Sequence, residues 1–282
     1  AGDAALARRE LSQARGAGDA ARIFAAEIAA DVELDDLKAA AGRLAGAPED
    51  VAPPWRAPFS AALAKLLAGG GPKDSAAARD LLAAAFAADT NFWPAMRVAL
   101  QADLQSGDSA AAEKDAAQLL ARRPFDYFGN YVAAMMAGGA GDVAEAQRRY
   151  QASLSQRAAW FVLNDYASLL ASLGNAALAE RMARDALAAS GGAVPAVHDT
   201  LGEALYAQGR TGDAAAAFRE AIETSGGEVD PRFRLHLAEA LLASGDAAGA
   251  AAEAEAAAAG DPPFTPAERA RLEAVRQGAA EP

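Results

Sequence analysis

The stretch "LGEALYAQGRTGDAAAAFREAI", residues 201–222, decides the fold. A Leu-Gly pair is followed seven residues later by Gly209, then by Ala214, then by Phe218 four positions on. None of these residues carries catalytic chemistry, so any meaning lies in the spacing. The spacing recurs. "GDSAAA" (107–112), "GDVAEA" (141–146), "GNAALA" (174–179), "GRTGDA" (209–214) and "GDAAGA" (245–250) each place a Gly five residues ahead of an Ala. Successive glycines lie 34, 33, 35 and 36 residues apart, and one period further back falls on Ala78 in "KDSAAARDLL", without the glycine.

The hinge has a simple physical reading. Gly takes positive φ without strain and ends a helix in a left-handed cap. Asp108, Asp142, Asn175 and Asp246 follow at once and are placed to accept the free N–H groups of the next helix. Asp142 and Glu145 have capping-box spacing. Two helices joined by so short a turn must lie antiparallel.

With that pattern in hand, the chain resembles the tetratricopeptide repeat (TPR) family, whose unit of about 34 residues reads W-x2-L-G-x2-Y, then A-x3-F, then A and P. The best unit here is His198-x2-Leu201-Gly202-x2-Leu205, Ala214-x3-Phe218, Ala221. Elsewhere the Leu201-Gly202 pair becomes Ala99-Leu100, Ala133-Ala134, Tyr166-Ala167 and Leu237-Ala238. The Phe218 slot becomes Leu82, Ala116, Tyr150, Ala183 and Ala254, and the closing proline survives as Pro124 and Pro262. The repeats are of a degenerate, bacterial type. The resemblance implies an all-α, right-handed superhelical solenoid of antiparallel helix pairs, in which Gly202 and Ala214 permit close approach and Phe218 fills the gap.

Composition agrees. The chain of 282 residues is 52 % hydrophobic and only 6 % aromatic, and alanine, the strongest helix former, is its commonest residue. Strand formers are sparse. A net charge of −12 argues against nucleic acid or an anionic membrane as partner. With no cysteine there is no disulfide, thiolate metal site or cysteine nucleophile. No apolar run approaches the roughly 18 residues of a membrane span, so direct membrane insertion is not expected. "AGDAALARRE" has no signal-peptide core, which leaves cytoplasmic and exported locations both open.

The expected organisation is a divergent N-terminal segment (1–55), an array of about six helix pairs (56–262) and a C-terminal cap (263–282). The first segment reads as two or three helices broken at "RGAGDA" (15–20) and "AADVELDD" (29–36). The proline-rich "GAPEDVAPPWRAP" (46–58) reads as a loop, with Trp55 tucked back onto the array. In "FTPAERARLEAVRQ" Thr265 and Glu268 form a capping box, with Pro266 at the first helical position. Arg269, Glu273 and Arg276 supply the polar outer face a terminal helix needs.

No constellation of nucleophile, acid and base can be assembled, so no catalytic residues, cofactor or metal are expected. The two histidines fall in different units, with no H-x3-H or E-x2-H spacing, and His198 takes the family's Trp slot, a packing role. "GGGPKDS" (69–75) fails the phosphate-loop pattern and reads as an inter-helix loop.

What the family resemblance does single out is the first helix of each pair, which lines the groove. The partner-binding candidates mapped on it are Arg97, Gln101, Phe128, Tyr131, Met135, Phe161, Asn164, Asp199, Glu203, Tyr206 and Glu239. Phe128, Tyr131 and Phe161 read as an apolar middle and Asp199, Glu203 and Glu239 as an acidic end. The chaperone-tail clamp known in this family is disfavoured, because these acids would repel a carboxylate. The expected function is a non-enzymatic scaffold that binds a protein or peptide with apolar anchors and a basic flank. A bacterial envelope, secretion, pilus or exopolysaccharide setting is the family analogy. A regulatory, peptide-sensing domain cut from a larger protein is the alternative.

Overall fold

The computed structural model describes residues 20–49, 51, 53–69, 71–259 and 263–280. Pro262 and most of the expected break at 15–20 lie outside them. Fifteen helices and no strand occur among the described residues. The fold is all-α and TPR-like, a succession of helix pairs.

The hinges carry the fold. Gly107, Gly141, Gly174, Gly209 and Gly245 all adopt left-handed backbone, with φ between 75° and 89°. In each case the N–H after the glycine reaches back to a carbonyl five residues earlier: Asp108 to Asp103, Asp142 to Ala137, Asn175 to Leu170, Arg210 to Leu205 and Asp246 to Leu241. This is the Schellman closure, and it satisfies carbonyls that a bare helix end would leave unpaired. The caps are less uniform. Asp108, Asp142 and Asp246 accept from the N–H three residues on, at 2.9–3.0 Å. Asn175 makes no side-chain cap bond, contrary to the sequence expectation. The Asp142–Glu145 box is only half formed, because the Glu145 carboxylate turns to Arg149 at 2.7 Å. A full charge is the stronger competitor for that carboxylate.

Two compact units divide the chain, Ala1–Arg157 and Ala158–Pro282. The first holds α1 (Ala20–Glu33), α2 (Leu37–Gly46), α3 (Arg56–Leu67), α4 (Pro72–Ala88), α5 (Trp93–Ser106), α6 (Ser109–Arg122), α7 (Tyr127–Gly139) and α8 (Val143–Gln156). Helices α3/α4, α5/α6 and α7/α8 pack as pairs. Trp55 is buried, stacked on Phe92 at 3.7 Å between ring centres, as its expected tuck requires. The proline-rich loop is shorter than its composition suggests. Helix α3 already begins at Arg56, and Pro58 is accommodated in its first turn, where an N–H is dispensable. The Arg56 guanidinium holds the loop by donating to the carbonyls of Leu44, Ala47, Pro48 and Val51.

The second unit holds α9 (Trp160–Ser172), α10 (Ala176–Ser190), α11 (Pro195–Tyr206), α12 (Thr211–Thr224), α13 (Pro231–Ala243), α14 (Ala247–Ala258) and α15 (Pro266–Ala280). Pairs α9/α10, α11/α12 and α13/α14 are followed by α15, which packs on both α13 and α14. Here the opening stretch finds its reason. A Cβ added at Gly202 would lie 2.8 Å from Cζ of Phe218 and closer still to Cδ1 and Cε1. Phe218 is 1 % exposed and Ala214 fully buried, so ring and helix backbone touch because Gly202 has no side chain. Thr265 and Glu268 complete a reciprocal capping box at 2.6 and 3.2 Å. Leu272 and Val275 of α15 close the core while Arg269 and Glu273 remain outside.

Candidate protein-binding site

The first helices of the two units meet different fates. In the first unit α1 packs against α5, on the first-helix face that the sequence assigned to a partner. Phe24, Ile28 and Val32 of α1 join one core with Trp55, Phe92, Ala95 and Val98. The turn after α1 brings acids onto three arginines. Asp35, the one described non-glycine residue with positive φ (58°), accepts from Arg97 at 2.7 Å, from Arg157 at 2.6 Å and from the Tyr127 hydroxyl. Glu33 pairs with Arg123 at 2.9 Å.

Arg97, expected to face a partner, is therefore 3 % exposed. Its guanidinium sits 4.5 and 4.7 Å from the ring centres of Tyr127 and Phe128 and faces Asp126 at 3.4 Å. Burial alone would pull its pKa down, but Asp126, Tyr127 and Asp35 overcome that and raise it, so it stays charged. Tyr131 is 8 % exposed, with its ring against Phe128 at 5.8 Å and Tyr150 at 6.4 Å. Gln101, Phe128 and Met135 are half-buried.

In the second unit the face is open. A cleft of about 280 Å³ is lined by Ser168, Ala171 and Ser172 from α9, Glu203 and Tyr206 from α11, His236 and Glu239 from α13, and Arg271 from α15, with Phe218 of α12 at its wall. Helical spacing puts Asp199 and Glu203 on one face of α11, one turn apart. Asp199 is held by His236, whose Nδ1 lies 2.8 Å from Oδ1. Glu239 is held by Arg271, which donates at 2.7 Å. Glu203 differs: its carboxylate is 42 % exposed, accepts no hydrogen bond among the described residues, and has His236 Nε2 at 3.9 Å. Burial raises its pKa, His236 opposes that, and Asp199 adds to it. Tyr206, at the hinge end of α11, is 40 % exposed, and Leu173, at the same end of α9, is 43 % exposed. Phe161 and Asn164 are half-buried on α9, and the Asn164 Oδ1 is buried without a donor.

The structure therefore brings together Asp199, Glu203, Tyr206 and Glu239 with Ser168, a further groove position of the family mapping, and adds His236 and Arg271, which the sequence reading did not place in the groove. His236 carried a usable signal: it stands 37 residues after Asp199, close to one repeat period, so the two belong on adjacent first helices. Asp199, Glu203 and His236 offer ligand atoms within 4.8 Å of one another. The His236 nitrogen facing Asp199 is already engaged, which leaves Nε2 and one carboxylate, whereas a structural zinc site closes with four ligands.

A family model described as tetratricopeptide repeat matches residues 200–264, the segment that contains Gly202, Phe218 and the hinges at Gly209 and Gly245. Residues 200–264 carry tetratricopeptide repeat sequence. Solved TPR-like folds extend the likeness beyond that segment. The crystal structure of the APC/C hetero-tetramer Cut9-Hcn1 matches with TM-score 0.71 at 15 % identity, covering 92 % of this chain and 49 % of that one. This chain thus spans about half the length of that relative. PilW, described as a widely conserved type IV pilus biogenesis factor, matches with TM-score 0.63 at 18 % identity over 81 % of this chain and 99 % of PilW. A TPR protein from Parabacteroides merdae ATCC 43184 matches with TM-score 0.51 at 14 % identity over 94 % and 100 %. No curated protein sequence matches the chain. A TPR fold implies a protein-interaction scaffold.

Proposed function

We propose that this TPR chain is a non-enzymatic scaffold that holds a segment of a protein partner on the first-helix face of its second unit. The observation that carries this reading is the contrast between the faces. In the first unit α1 and its acidic turn cover the face at α5, while the second unit presents the Glu203 carboxylate, which accepts no hydrogen bond among the described residues, beside the exposed Tyr206 ring. Tyr is among the residue types enriched at interaction hot spots. The partner segment inferred has apolar anchors for Tyr206 and Leu173 and a basic flank for Glu203. A bacterial envelope, secretion, pilus or exopolysaccharide assembly is the setting we favour; the likeness to PilW supports it at the level of fold alone.

A photo-crosslinking residue placed at position 206 tests the reading in extracts of the source organism, with the same residue at Arg181 on the exposed side of α10 as control. The expected result is a discrete protein adduct from position 206 that Glu203→Lys reduces, and none from position 181. Adducts formed equally from both positions, or only from 181, would place the partner elsewhere.

A further inference from the structure

Five charged groups face one another across the cleft of the second unit: Asp199 and Glu203 on α11, His236 and Glu239 on α13, and Arg271 on α15. Helices α9 and α12 contribute Ser168 and the Phe218 ring, neither of them charged. Three carboxylates against one guanidinium leave two negative charges while His236 is neutral, and one when it is protonated. The pairing is uneven. Asp199 belongs to the imidazole Nδ1 and Glu239 to Arg271, so the uncompensated charge resides on Glu203. Beside it stands the exposed ring of Tyr206. A long cationic side chain fits that combination, with its stem along the ring and its N–H donors on the carboxylate.

Resting on the reading that this face holds a protein segment, we propose that the cleft receives one lysine or arginine side chain of the partner on Glu203, and that a proton on His236 Nε2 competes with it. The geometry supplies the competition. Nδ1 is committed to Asp199, so the second proton of the imidazolium sits on Nε2, 3.9 Å from Glu203. In acid the imidazolium supplies the positive charge that Glu203 lacks. When that proton leaves, Glu203 faces a neutral ring and the incoming cation takes over. Burial draws the His236 pKa down, but the hydrogen bond and charge of Asp199, with the charge of Glu203, outweigh it and raise the pKa above 6.5. The exchange therefore falls on the alkaline side of an ordinary histidine's titration. Linkage is reciprocal: a cation that binds better to the neutral ring must lower the His236 pKa when it binds.

The experiment uses the whole chain and one small probe, N-acetyl-arginine methylamide, with its uncharged citrulline counterpart as control. Only two histidines, His198 and His236, appear in the ring spectra, so each can be followed by NMR. We expect the arginine probe to lower the His236 pKa and leave that of His198 in place. Its affinity should be about tenfold or more higher near pH 8.5 than near pH 5.5. The citrulline probe should do neither, and Glu203→Gln should abolish both effects while the His198 signals stay unchanged. An arginine probe that fails to move His236, that acts equally on Glu203→Gln, or that is matched by citrulline overturns the proposal. So does stoichiometric binding of zinc chloride through Glu203 and His236 with no response to arginine. If the probe fails while crosslinks from position 206 persist, the binding face stands and only the cation pocket is lost. If those crosslinks are absent, the reading beneath the proposal has failed as well.

Discussion

Gly202→Ala isolates the contact on which the best-preserved repeat turns. In an exposed helix interior the change would stabilise by about 1 kcal/mol, since Gly is that much poorer than Ala as a helix former. At position 202 the new methyl meets the Phe218 ring at 2.8 Å from Cζ and closer on the other edge, whereas carbon atoms rest at about 3.5–4.0 Å. The ring must move by about 1 Å although it is only 1 % exposed, with His236 5.5 Å from it between ring centres. Overpacking of this kind costs about 1–3 kcal/mol. Set against the propensity gain, the net loss is between about zero and about 2 kcal/mol, or up to roughly 6 °C in melting temperature. Gly212→Ala is the control: no atom lies within 4 Å of its added Cβ and it sits in α12 at ordinary φ, so it should be neutral or stabilising by a few tenths of a kcal/mol. Thermal and urea unfolding of both variants, with Gly202→Ala/Phe218→Leu as a double mutant, provide the assay. The second change should recover part of the loss, since the two residues share one volume. A Gly202→Ala protein as stable as Gly212→Ala would refute the packing argument.

Further expectations follow from the caps, the covered face and a buried carboxyl. Asp246→Ala should cost about 0.5–2 kcal/mol and Asn175→Ala almost nothing, because only the first makes a cap bond; denaturant midpoints compare them. Asp35→Ala leaves the buried Arg97 short of a counter-charge and frees the α1 turn, so hydrogen exchange should quicken over residues 24–37 and remain unchanged in the second unit. Asp103 is fully buried, and burial raises its pKa from 3.8 to about 6 against the opposing pull of Arg79. A raised carboxyl binds its proton more tightly in the folded state, so its contribution is present in full below about 3.8 and is lost as pH rises through about 6. Wild-type stability should accordingly fall less steeply on acidification over that window than that of Asp103→Asn, measured by urea unfolding at stepped pH.

How far the sequence led depends on the range of the interactions involved. The five hinges were legible because left-handed Gly and the following cap are local backbone chemistry, and the Gly202–Phe218 contact was legible because a repeat fixes it by spacing. Asn175 shows the limit: a residue type able to cap need not do so. The covering of the first unit was not legible. It depends on Asp35 meeting Arg97 from 62 residues away, through a turn whose positive φ no local pattern announces. The candidate face was half legible. Asp199, Glu203, Tyr206 and Glu239 followed from the groove positions that the family resemblance implies, whereas the His236 partnership crosses between helices and needed the repeat period applied to neighbouring positions.

The central claim is that a protein partner engages the second unit through Glu203. The most direct measurement is the Kd of the crosslinked partner for the wild-type chain, for Glu203→Lys and for Arg181→Glu. Charge reversal in the cleft should weaken binding by about tenfold or more, while reversal on α10 leaves it unchanged. Equal affinity of Glu203→Lys and wild type, or loss confined to Arg181→Glu, would contradict the claim.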